Sequence, residues 1–90
     1  MLLCEKEVIV MNKVGLHARP AALFVEIANK FSSRITIASE GKEADGKSII
    51  GILTLGAKRG IPVIIKAEGE DGQTAVSELE KLLSGGEDYD

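Results

Sequence analysis

His17 is the single histidine of this 90-residue chain and stands in Gly15-Leu16-His17-Ala18-Arg19-Pro20-Ala21-Ala22. Just beyond it, Ala21, Leu23, Phe24, Ile27, Ala28 and Phe31 recur at three- and four-residue steps, which predicts an amphipathic helix over Ala18 to Lys30. Pro20 falls in its first turn, where the missing N–H removes no intrahelical bond. His17 therefore sits at a helix N-terminus, where backbone donors and the positive dipole end favour an anion. The same field disfavours imidazolium, leaving a ring nitrogen lone pair to attack a phosphoryl group. Arg19 can hold phosphate oxygens through paired hydrogen bonds. An N–P bond is a good phosphoryl donor, so the site suits onward transfer. Residue types alone leave a plainer alternative open, with His17 a surface cap and Arg19 a solvated first-turn side chain.

A second pattern competes for phosphate chemistry. Gly41-Lys42-Glu43-Ala44-Asp45-Gly46-Lys47-Ser48 satisfies the P-loop expression G-x-x-x-x-G-K-[ST], with a strand before it and a helix after it. Glu43 and Asp45 would repel the phosphates this loop should cradle. Val63-Ile64-Ile65 ends in Lys66, where a magnesium-binding aspartate is wanted. A hairpin return followed by a capped helix is the better reading, and a small nucleotide-binding module is kept as the alternative from another class. Ser48 is the N-cap candidate of that helix, placed where an added phosphate charge is locally tolerated. Ile49, Ile50 and Leu53 beside it are candidates for an apolar contact patch. An ordinary N-cap serine, with Ile50 and Leu53 in the core and Ile49 the more exposed, fits the same residues.

The positioning elements follow from hydrophobic period and turn chemistry. Strands are expected at Glu5 to Val10, Arg34 to Ser39, Lys42 to Asp45 (short and weak) and Pro62 to Glu68, with Pro62 at a first position that proline tolerates. Met11 to Leu16 reads as a loop, Glu40-Gly41 as a turn, Gly56 to Gly60 as a loop and Gly69 to Gly72 as a turn. A short helix is expected over Ser48 to Leu55, weakened by Gly51. A last helix over Thr74 to Leu83 carries Ala75, Val76, Leu79, Leu82 and Leu83 on one face and stops at Gly85-Gly86. The tail Glu87 to Asp90 is expected to be loose. The order β-α-β-β-α-β-α makes an α+β, two-layer sandwich with one sheet face open to water.

Composition narrows the function classes. A chain of 90 residues, 44% hydrophobic and 28% charged, is expected to be one soluble domain over 1–90. Such a chain buries only about 60–65% of its unfolded surface, which favours a module presenting a surface to partners over a large multi-substrate enzyme. Net charge −3, from 11 Lys and Arg against 14 Asp and Glu, without a basic cluster, argues against nucleic acid as a ligand. No apolar run is long enough for a bilayer and none reads as a signal peptide, so no membrane is expected. Cys4 is the only cysteine, which fits a reducing cytoplasm. Nothing indicates more than a monomer.

Gly15-Leu16-His17-Ala18-Arg19-Pro20-Ala21 resembles the active-site motif of HPr, the histidine-containing phosphocarrier family of the bacterial sugar phosphotransferase system. Lys47-Ser48-Ile49-Ile50-Gly51-Ile52-Leu53-Thr54-Leu55-Gly56 is similar to that family's second hallmark, and the order and spacing of the two agree over nearly the whole chain. The resemblance implies an open-faced β-sandwich of four antiparallel strands with three helices on one side. It implies phosphorylation of His17 at Nδ1 by enzyme I, itself charged by phosphoenolpyruvate, and transfer onward to sugar-specific enzyme IIA domains. Arg19 would steady the phosphohistidine. Ser48 matches the regulatory serine that an ATP-dependent HPr kinase/phosphorylase modifies in some bacteria. No cofactor and no metal are implied, and the chain would catalyse nothing alone. A nitrogen-branch or regulatory relative is the alternative within the family. The chain departs from the pattern at Lys13-Val14 in the active-site loop, and at Ile49, Ile50 and Leu53, where methionines or phenylalanine are frequent.

Overall fold

The computed structural model describes residues 2–13 and 15–85. Its elements are β1 (Leu3–Ile9), α1 (Ala18–Ala28), β2 (Arg34–Ser39), β3 (Lys42–Asp45), α2 (Ile49–Leu55), β4 (Pro62–Glu68) and α3 (Gly72–Ser84). The expected order holds throughout. The four strands form one antiparallel sheet in the order β1-β4-β2-β3, with Glu5 opposite Lys66 and Lys66 opposite Thr36.

Alternation divides the sheet into two faces. Val8, Ile35, Ile37, Val63, Ile65 and Ala67 point into the core, where Phe24, Ile52, Leu79 and Leu83 meet them from the three helices. The opposite face carries Glu5, Glu7, Thr36 and Lys66 and is not covered. Phe24 is the fully buried aromatic among otherwise aliphatic side chains. Among the described residues no helix is long and apolar enough to cross a membrane.

The hairpin between β2 and β3 closes through Glu40 (φ 50°) and Gly41 (φ 84°), the paired left-handed residues of a type I′ turn. Several element boundaries differ from expectation: β1 ends at Ile9 and α3 at Ser84, each one residue from the expected limit, and three others shift further. β1 begins at Leu3, not Glu5, because the ladder to β4 continues to Leu3 opposite Glu68. α1 ends at Ala28, not Lys30, where Lys30 N–H turns to Ile27 O and Phe31 N–H to Ala28 O, tightening the last turn to three-residue steps. α3 starts at Gly72, not Thr74. Gly85 is its C-cap; Gly86 and the tail Glu87 to Asp90 lie outside the described residues.

The early start of α3 has a tertiary cause. The carboxylate of Asp71, its N-cap, accepts from Ser33 Oγ, from Ser33 N–H (3.0 Å) and from Ser32 N–H (2.8 Å), tying α3 to the entrance of β2. The Ser33 hydroxyl and then the Ser32 amide hold this carboxyl at about 2, below the ordinary 3.8. A depressed folded-state pKa means that the clasp contributes stability above pH 3.8 and loses it as pH falls toward about 2. The thermal midpoint of the native chain should therefore exceed that of Asp71→Asn by a constant margin above pH 3.8. That margin should shrink below this pH; a margin independent of pH down to acid would contradict the clasp.

Candidate functional site

The loop from β1 to α1 is held at both ends before it reaches His17. Met11 N–H donates to Leu83 O (2.8 Å), and the buried Asn12 lies beside Leu82 at the end of α3. Gly15 N–H closes a turn onto Asn12 O (3.0 Å), with Gly15 at φ +80°. Leu16 is buried and its N–H donates to Ala57 O (2.9 Å), stapling this loop to the one after α2. The chain then turns extended at His17 (φ −89°, ψ −169°), which is the N-cap of α1.

His17 is half-buried, and its side chain makes no capping hydrogen bond to the helix. Its carbonyl accepts Ala21 N–H, the first bond of α1, so the backbone rather than the ring closes the cap. Helix geometry aims the first-turn N–H groups out of this end. Pro20 is buried and fixes the turn, while Arg19 stays exposed. His17 thus stands at the start of α1 as expected, with Arg19 in its first turn.

Sequence reasoning missed the contribution of the loop after α2. Its backbone is pressed so close to Gly15 that a Cβ there would lie 2.6 Å from Ala57 O and 2.7 Å from Lys58 Cα. Lys58 and Arg59, both exposed, thus share the end of the molecule that holds His17, with Lys13 and Arg19. The signal was a pair of cations bracketed by Gly56 and Gly60.

Ser48 is the N-cap of α2 as expected, its Oγ accepting Gly51 N–H at 3.1 Å. It does not join His17. Lys47 Nζ donates to Phe31 O (2.8 Å) just past the C-terminus of α1, whereas Leu16 bonds to Ala57 just past the C-terminus of α2. The two helices therefore lie side by side with opposite directions, and Ser48 is about one α1 length, roughly 16 Å, from His17.

The apolar trio departs from the reading that put Ile50 and Leu53 in the core. Ile49 is 42%, Ile50 77% and Leu53 39% exposed, and Ile50 is the most open of the three. Ile52 and Leu55 take the core positions instead. The uniform apolar run of α2 hides which side turns inward. The phosphate-cradle alternative also falls. Gly41 is a hairpin residue, Lys42–Asp45 is strand β3 paired to β2, and Lys47 reaches a carbonyl of the α1 exit. Among the described residues no group of three His, Cys, Asp or Glu is placed to hold a metal ion.

The comparisons agree with this arrangement. The sequence family described as "PTS HPr component phosphorylation site" matches residues 4–85. The chain is 42% identical over 79 residues to the phosphocarrier protein HPr of Xylella fastidiosa, covering 88% of this chain and 89% of the relative. The crystal structure of HPr from Bacillus anthracis superposes with a TM-score of 0.88 at 41% identity, over 92% of this chain and 99% of that one. Crh of Bacillus subtilis, a catabolite repression protein solved as a domain-swapped dimer, gives 0.75 at 41% identity, over 90% and 93%. With a histidine at the N-cap position of α1, two loops steadying it and a sheet and helix order shared with these relatives, the chain belongs to the HPr phosphocarrier family of the phosphotransferase system.

Proposed function

We propose that this chain accepts a phosphoryl group on His17 from enzyme I and gives it up to sugar-specific enzyme IIA domains. In the first step an imidazole nitrogen, Nδ1, forms a bond to phosphorus as the donor's bond to phosphorus breaks. In the second the same bond breaks toward the acceptor. Arg19 holds the phosphoryl oxygens, and the helix start supplies backbone donors to the developing charge. The chain is a carrier that turns nothing over alone. The observation that carries the reading is the half-buried His17 at the N-cap of α1, with its ring not used to cap the helix. The lone Cys4 supports a reducing cytoplasm as its compartment.

Incubation with enzyme I, magnesium and phosphoenolpyruvate tests this directly. Intact mass should rise by one phosphoryl group that acid treatment removes. A chain unchanged in mass, while a known HPr in the same tube is modified, would sink the proposal.

The exposed Ile49, Ile50 and Leu53 lie along the helical layer between Ser48 and the end bearing His17, and form the docking patch of this reading. Phosphorylation of Ser48 by an HPr kinase/phosphorylase would place about −1.5 to −2 charges at the rim of that patch, opposing docking rather than touching His17. Ile50→Glu should accordingly raise KM for enzyme I by about tenfold or more while changing folding stability by no more than about 0.5 kcal/mol. Steady-state transfer kinetics beside thermal unfolding read the two effects separately, and an unchanged KM would remove Ile50 from the patch. A monomer is inferred for the working unit. Light scattering decides it against a dimer of the kind recorded for Crh.

A further inference from the structure

We infer that Gly51 keeps the Ser48 hydroxyl open to phosphoryl transfer and so acts as a positioning residue for that modification. The inference rests on the reading of Ser48 as the target of an ATP-dependent kinase. Gly51 is the third residue of α2, where glycine disfavours the helix by about 1 kcal/mol relative to alanine. Its missing side chain has a definite place. A Cβ at 51 would stand 3.3 Å from Ser48 Oγ, 3.4 Å from Ser48 Cβ and 3.3 Å from the Cβ of Ala44 on β3. The space so left lies between the hydroxyl and the strand.

The same residue bonds the oxygen. Gly51 N–H donates to Ser48 Oγ at 3.1 Å and holds it in the N-cap geometry. Any residue but proline would supply that N–H, whereas only glycine supplies it without covering the oxygen. In the transfer, the Oγ–P bond forms as the bond from the γ-phosphorus of ATP to ADP breaks, and the hydroxyl proton passes to a base on the kinase. The incoming phosphorus and its oxygens must fit against the Oγ of the half-buried Ser48, one side of which is already taken by the Gly51 amide. A methyl in contact with the same oxygen narrows the remaining approach and leaves the cap bond in place.

The test uses the full chain with HPr kinase/phosphorylase and magnesium-ATP, following acid-stable phosphate by intact mass. The native chain should gain one such group, absent in Ser48→Ala. Gly51→Ala should lose at least about tenfold in kcat/KM, as small displacements at a reacting atom do. Its thermal midpoint should stay at or above that of the native chain, and its phosphorylation by enzyme I should be unchanged. Adding Ala44→Gly, which lets the new methyl move away from Oγ, should restore most of the rate. A native chain that takes no acid-stable phosphate overturns the reading of Ser48 and this inference with it. A native chain that is modified while Gly51→Ala matches its rate overturns the inference alone. So does a slow Gly51→Ala that is also less stable and is not rescued by Ala44→Gly, since that marks a packing glycine.

Discussion

His17→Ala should yield a folded chain that takes up no phosphoryl group from enzyme I. Folding should survive because the imidazole makes no capping bond to α1, and the bond that starts the helix runs from Ala21 N–H to the His17 carbonyl, which alanine retains. Loss of a side chain that does cap a helix costs about 1 kcal/mol, and this one should cost less. Transfer should fall to nothing, since His17 is the only histidine of the chain. Intact mass after incubation with enzyme I and phosphoenolpyruvate, alongside circular dichroism, separates the two effects. Residual acid-labile phosphate on the variant would place the acceptor elsewhere. Lys47→Ala is the matching control: it should remain fully phosphorylated, because the Lys47 ammonium serves the Phe31 carbonyl at the far end of α1.

Gly15→Ala should impair both stability and transfer. Gly15 sits at φ +80°, where an L side chain is strained by about 1–2 kcal/mol. Its Cβ would also meet Ala57 O at 2.6 Å and Lys58 Cα at 2.7 Å. These are backbone atoms and cannot swing aside, so the two loops must part. A total loss of about 2–4 kcal/mol is expected from strain and clash together. Parting the loops also breaks the Leu16 to Ala57 staple that sets the direction of His17, and a displacement of about 1 Å at a reacting group can lower its rate by about a hundredfold. Urea unfolding and single-turnover transfer at a temperature where the variant is folded measure both. A variant with the native midpoint and the native rate would show that this close approach is not needed.

Local chemistry accounts for most of what could be read in advance. β2, β3 and β4 begin and end as expected because their limits are set nearby, by the Glu40-Gly41 turn and by Pro62. The place of His17 was legible for the same reason: Pro20 in a first turn marks the helix start, and His17 precedes it. What was missed depends on partners distant along the chain. Leu3 is a strand residue because Glu68 lies opposite it, and Gly72 starts α3 because Ser32 and Ser33 hold Asp71 in front of it. Ile49, Ile50 and Leu53 face outward, as the contact-patch reading expected and the core alternative did not, because Ile52 and Leu55 turn inward; the sequence left both open where nearly every residue of α2 is apolar. The approach of Gly15 to Lys58 joins two loops that carry no mark of each other.

The strand order β1-β4-β2-β3 also dictates when the chain can fold during synthesis. β1 is made before the other strands, yet among the described residues its only strand neighbour is β4, Pro62–Glu68. Until that segment has left the ribosome, Leu3–Ile9 has nothing to pair with, and Val8 must wait in solvent with an unmatched backbone. Early local structure is confined to α1, the β2–β3 hairpin and α2. The entropy lost in closing so large a loop must be offset before the β1–β4 contacts form, which slows folding, so the histidine turn acquires its final shape only after β4 has emerged.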